Sequence, residues 1–134
     1  MKSGWLAAAA AILLACGGPG PPTEKELQLA AGYPALYERM KQFGCPRCHT
    51  TGTQEIPNPF RLPPPGEDDI LAVRLLLRNL DWTTVAESRL VRKPSAQLAH
   101  RGGRVLSTVM RDVWIEAIEE WMANAKATSE PWKS

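Results

Sequence analysis

The sequence predicts an all-α domain of three to four helices separated by long loops. Three segments repeat apolar residues at helical spacing, no stretch alternates with period two over a strand's length, and no internal repeat is present. The prolines and glycines gather mainly at residues 17–22 and 57–66, which leaves the rest of the chain able to fold.

Thr23-Glu24-Lys25-Glu26 has the spacing of a capping box, in which a hydroxyl and a carboxylate three residues apart satisfy each other's backbone amides. A helix is predicted to start there, with Pro34 kinking or restarting it. Leu36, Met40 and Phe43 then share one face, Glu38, Arg39, Lys41 and Gln42 take the other, and Gly44 is placed to stop the helix. Residues 50–66 are rich in Thr, Gly and Pro, and Pro63-Pro64-Pro65 precludes both helix and central strand, so a long loop is predicted. Glu67, Asp68 and Asp69 lead into a second amphipathic helix over 70–80, with Ile70, Val73, Leu77 and Leu80 on its buried face. Residues 81–106 lack a period and hold Pro94 and Gly102-Gly103, which predicts loop with a short helical turn near 95–100. Ser107 then suits an N-cap. Met110, Val113, Trp114, Ala117, Ile118 and Trp121 form the apolar stripe of a last helix, opposed by Arg111, Asp112, Glu116, Glu119 and Glu120.

A chain of 134 residues suits one folded domain. Its 16 Lys and Arg against 14 Asp and Glu leave a formal charge of +2 with no basic run, so no nucleic-acid partner is expected. The N-terminus pairs Lys2 with an apolar stretch from Trp5 to Ala15, far short of the about 20 residues that span a bilayer. Leu13-Leu14-Ala15-Cys16-Gly17 resembles the lipobox of bacterial lipoproteins, in which the cysteine is acylated and becomes the new N-terminus. That resemblance implies a signal peptide over 1–15, lipid on Cys16, and attachment to a membrane facing the periplasm or cell surface. An ordinary secretory signal cut near the same place is the alternative, and either one exports the domain. Gly17-Gly18-Pro19-Gly20-Pro21-Pro22 reads as a tether beyond the lipidated cysteine, because such a segment offers little to packing or regular hydrogen bonding.

Three cysteines make no even disulfide set; with Cys16 given to lipid, Cys45 and Cys48 remain as a pair. Cys45-Pro46-Arg47-Cys48-His49 is a C-x-x-C-H sequence, the pattern of covalent haem c attachment. Two thiols at this spacing can form thioethers along one edge of the macrocycle while the next residue's imidazole binds iron from below. One haem is expected, in a domain over 23–126 with a tail at 127–134. A thiol–disulfide exchange site also uses C-x-x-C, but in a βαβ context that the helical pattern does not offer. A zinc site needs four ligands, and this region supplies two cysteines and, with His100, two histidines, His49 being awkwardly adjacent to Cys48.

The opposite face of the iron takes histidine, methionine or nothing. His100 is the other histidine of the chain and falls in the loop before the last helix, beside two glycines whose backbone can turn tightly. Met110, near the start of that helix, is the alternative distal ligand; Met40 precedes the motif, and Met122 lies late on a packing face.

Ser88-Arg89-Leu90-Val91-Arg92-Lys93-Pro94, followed by His100-Arg101-Gly102-Gly103, resembles the Ser-x-Leu-x-x-Lys-Pro and His-Gly-Gly-Gly pattern of cytochrome c-like domains in planctomycete and myxobacterial proteins. The resemblance spans roughly residues 36–122. It implies a cytochrome c-like fold around one covalent haem, with His49 and His100 as its two iron ligands, although Arg101 stands where the pattern has glycine. Leu36, Met40 and Phe43 are expected to pack against Val113, Trp114, Ile118 and Trp121. Phe60, Leu75, Leu90 and Leu98 are candidate haem-wall residues, and Arg47, Arg61, Arg101 and Arg104 are candidate partners for the propionates. A carbonyl of the proline loop, Pro57 or Pro59, is expected to orient His49.

The function expected is electron transfer between redox proteins, not enzymatic turnover, because two axial ligands leave the iron no open position. A haem-bearing sensory or structural module within a larger complex is the reading from a different class.

Overall fold

A computed structural model describes residues 19–50, 60–100 and 103–128, with side chains up to residue 125. It is helical, and among the described residues there is no β-strand, only an isolated parallel bridge between Thr50 and Leu62. Five helices follow in order: α1 Glu24–Gln42, α2 Pro46–His49, α3 Asp69–Arg78, α4 Arg89–Arg92 and α5 Thr108–Thr128, with a 3₁₀ turn at Val85–Glu87.

α1 begins as its sequence dictates. The Thr23 hydroxyl accepts from the Glu26 amide at 3.2 Å, and a Glu26 carboxylate oxygen accepts from the Thr23 amide at 2.8 Å, closing the capping box. Pro34 does not restart the helix, contrary to expectation. It lies exposed inside one continuous helix, and Leu29, Tyr33, Leu36, Tyr37 and Met40 form a single buried face across it. Packing of that face outweighs the one amide hydrogen that proline lacks. The helix stops in a Schellman arrangement: Gly44 at φ +75°, its amide donating to the Lys41 carbonyl, and the Cys45 amide donating to the Met40 carbonyl.

α5 starts where Ser107 caps it, with the Met110 amide donating to the Ser107 hydroxyl at 3.3 Å, and it runs through Thr128, two residues into the expected tail. It packs along α1. Gly32 is the point of closest approach, where a Cβ would come within 2.9 Å of Trp121 Cδ1. The Trp121 indole donates to the Leu29 carbonyl at 2.8 Å, and Phe43 meets Trp114 edge-on with ring centroids 5.9 Å apart. Val113 faces solvent, not this interface. Met122 and Ala125 extend the buried side instead.

α3 packs on another side of α1. Its buried residues are Ala72, Val73 and Leu76, so the helix is turned relative to the predicted face: Ile70, Leu77 and Leu80 are half-buried at its edges. The short helix of the following segment lies at 89–92, earlier than expected, and residues 93–96 form turns with Ala96 at φ +60°. Buried Ser88 fixes its start by accepting from the Asp81 amide at 2.7 Å, and the Trp114 indole donates to the Leu90 carbonyl at 2.9 Å. The core is therefore one cluster in which α1 is central, with α3 and α5 against it and α4 against α5. Residues 19–22 carry no regular structure, yet the expected tether is not wholly loose: an Arg74 guanidinium nitrogen donates to the Gly20 carbonyl at 2.8 Å. No helix among the described residues is long and apolar enough to cross a membrane.

Candidate functional site

The site starts at the C-terminus of α1. Because the Cys45 amide closes the Schellman motif, the chain enters Cys45 in a fixed direction, and Cys45 then serves as the N-cap of α2 with Pro46 at the first helical position. The His49 amide donates to the Cys45 carbonyl at 3.1 Å, completing one helical turn. Cys45 and Cys48 are thus one turn apart on neighbouring sides, a pairing helical geometry gives to positions three residues apart. Cys48 is exposed and Cys45 half-buried against the core. Burial pushes the Cys45 thiol up to about 11, so it is protonated at neutral pH.

The chain that leaves His49 is caught on its return. The Leu62 amide donates to the His49 carbonyl at 2.7 Å, and two α1 tyrosines hold the ends of the proline loop: Tyr37 shares a hydrogen bond with Thr50 at 3.1 Å, and Tyr33 donates to the Pro63 carbonyl at 2.6 Å. The sequence reading did not single out these tyrosines. Their one signal is that positions 33 and 37 fall on the Leu36–Met40 face, where a hydroxyl needs a buried acceptor.

His49 Nδ1 lies 2.8 Å from the Phe60 carbonyl oxygen, and the Phe60 ring meets the imidazole edge-on at 5.3 Å. Phe60 is the loop carbonyl that orients His49. Pro57 and Pro59, the residues proposed for that part, lie outside the described residues. A carbonyl accepts only, so Nδ1 carries a proton, and in the neutral ring the lone pair is on Nε2. Burial, the main cause, together with the nearby His100 and Lys93, lowers the His49 pKa against the raising effect of the Phe60 bond, which favours the neutral, ligating form.

His100 comes from the other side. Its loop is tied at the base, where the Arg92 carbonyl accepts from the Gln97 and Leu98 amides and the Pro94 carbonyl accepts from the Val105 and Leu106 amides. His100 Nδ1 lies 2.8 Å from the Gly103 carbonyl oxygen, and Gly103 sits at φ +69°. A carbonyl accepts only, so Nδ1 of His100 carries a proton, as in His49. The two imidazole centroids are 6.0 Å apart with planes inclined by 18°. One metal ion bound at about 2 Å to a nitrogen of each of two opposed rings separates their centres by about 6 Å, the same distance as between these two centroids.

Met110 is half-buried in the first turn of α5, packed against the core and lining a cavity of about 380 Å³ with Arg104, Val105, Ser107 and Thr108. Of the proposed wall residues, Leu90 is buried, while Phe60, Leu75 and Leu98 are half-buried. Of the proposed propionate partners, Arg47 is exposed, Arg104 donates to the Leu106 carbonyl at 3.3 Å, Arg61 is half-buried, and Arg101 lies outside the described residues, as does Cys16. Among the described residues no three or more His, Cys, Asp or Glu side chains group to hold a metal ion.

Comparison of the chain with family models, with curated proteins and with solved structures finds no match.

Proposed function

We propose that the chain is an exported single-haem c-type cytochrome, of cytochrome c-like fold, that carries electrons with His49 and His100 as its iron ligands. One observation carries this reading: the imidazole centroids of His49 and His100 lie 6.0 Å apart with planes inclined by 18°, each ring with Nδ1 against a backbone carbonyl, immediately beside the C-x-x-C turn. His49 and His100 would be the two donors that a haem iron takes from the protein, so no cluster of three or four side chains is required. The Cys45 and Cys48 thiols would each add across a vinyl group, forming one carbon–sulfur and one carbon–hydrogen bond with nothing lost. Haem so held supplies a one-electron ferrous–ferric couple. The chain's own residues orient the two imidazoles through backbone carbonyls, burial favours the neutral form of His49, and the Phe60 ring packs edge-on against it.

The thiol–disulfide alternative is less favoured by the same region. Exchange requires a thiolate, and reactive cysteines of this kind have lowered pKa values, whereas burial pushes Cys45 upward. Lipid on Cys16, and with it membrane attachment facing the periplasm or cell surface, completes the proposal; the partners are other redox proteins.

The test is an absorption spectrum of protein matured in a host with haem-attachment machinery. Wild type and Met110→Ala are expected to show the low-spin spectrum of a six-coordinate haem, and His100→Ala is expected to lose it. A colourless, thiol-reactive product ends the haem reading. A low-spin spectrum that survives in His100→Ala and vanishes in Met110→Ala transfers the distal role to methionine. Rapid binding of carbon monoxide by the reduced wild type would instead favour an open site, and with it the sensory reading.

A further inference from the structure

Arg74 joins three parts of the chain that are far apart in sequence. Its Nε donates to Glu26 Oε1 at 2.9 Å, and one terminal nitrogen reaches both Glu26 Oε2 at 3.1 Å and the Gly20 carbonyl at 2.8 Å. Glu26 accepts in addition from the Thr23 amide. Both charged side chains are mostly buried, at 19% and 16% exposure, and Arg74 foremost holds the Glu26 carboxyl at about 2, well below its ordinary 4.5. This is a bidentate, charge-assisted contact that lysine's single ammonium cannot reproduce.

We propose that this contact is a latch that takes up the tether and turns the outer face of α3 toward the bilayer. The inference rests on the lipid anchor proposed at Cys16. Measured to the start of α1, seven residues of extended chain would let the domain stand about 24 Å from its anchor. Because Gly20 is already held to α3, four residues remain, and the reach falls to about 14 Å. On a helix of 3.6 residues per turn, Leu71 and Arg78 lie on the same side as Arg74, and both are exposed, Leu71 at 42%. That side of α3 carries the anchored strand of backbone. The latched tether thus gives the bilayer a definite neighbour, and the opposite elements of the domain stay available to soluble redox proteins.

The experiment uses the full-length, haem-loaded, lipidated chain in vesicles of phosphatidylethanolamine and phosphatidylglycerol that carry a headgroup quencher. A fluorophore is placed at Leu71→Cys or, on the exposed side of α5, at Glu116→Cys. The label at 71 should be quenched more strongly than the label at 116, and Arg74→Lys should abolish the difference while leaving helix content by circular dichroism unchanged. Equal quenching of the two labels in the anchored wild type, or a difference that persists in Arg74→Lys, overturns the latch. The anchor is checked separately by the mass of the N-terminal peptide. If Cys16 carries no lipid, the anchor reading fails and the orientation with it, while slow exchange of the Thr23 amide, which donates to the latched Glu26 carboxylate, lost in Arg74→Lys, still reports the latch itself.

Discussion

Tyr33 has no exposed surface, yet its hydroxyl finds the Pro63 carbonyl at 2.6 Å, thirty residues further along the chain. Burial pushes its ionisation upward, so it remains a neutral donor. A phenylalanine there keeps the ring's packing but leaves a carbonyl at buried Pro63 without this donor. An orphaned buried acceptor costs about 1–3 kcal/mol, and Tyr33→Phe is expected to lower stability by that amount, read as a fall in the urea midpoint at unchanged slope. Tyr37 is only part-buried at its hydrogen bond with Thr50, so Tyr37→Phe should cost less, about 1 kcal/mol or under. The two together brace Thr50 and Pro63, which lie next to His49 and near Phe60 along the chain, so tyrosines packed on α1 also steady the backbone that holds the imidazole.

At the scale of elements, the α1–α5 crossing depends on one missing methyl group. Alanine at Gly32 gains up to about 1 kcal/mol of helix propensity, but its Cβ would press to 2.9 Å on an indole already fixed by its bond to the Leu29 carbonyl. Overpacking of a core typically costs about 1–3 kcal/mol, so Gly32→Ala is expected to melt at a lower temperature than wild type; a raised melting temperature would show that the indole can move aside. Such crossings explain what could be read from sequence. The capping box of α1, its stop at Gly44 and the start of α5 at Ser107 are local hydrogen-bonding patterns, and they stand where the residues place them. The rotation of α3, the exposure of Val113 and the passage of α1 through Pro34 are set by what packs alongside, which periodicity within one segment does not contain. The same division holds in the site. His49 and His100 announce themselves as side chains and are brought to 6.0 Å between ring centroids, whereas Phe60 and Gly103 act through backbone carbonyls that every residue owns.

Over the whole molecule, the Arg74–Glu26 pair contributes to how the fold responds to acid, because it ties the segment at Gly20, the first turn of α1 and α3 into one unit. The Glu26 carboxyl titrates at about 2 when folded and near its ordinary 4.5 when unfolded. A depressed folded value means that the unfolded chain takes up the proton first as pH falls. The stabilisation is therefore fully present above about 4.5, declines between 4.5 and 2, and is gone below the folded value. Glu26→Gln removes the titrating group while keeping a side chain of nearly the same shape. It is expected to be less stable than wild type at neutral pH and to converge with it as pH falls toward 2, when both are followed by urea unfolding at a series of pH values. Curves that stay parallel across that window would mean that Glu26 has the same proton affinity folded and unfolded, and that the pair holds the fold by shape and not by charge.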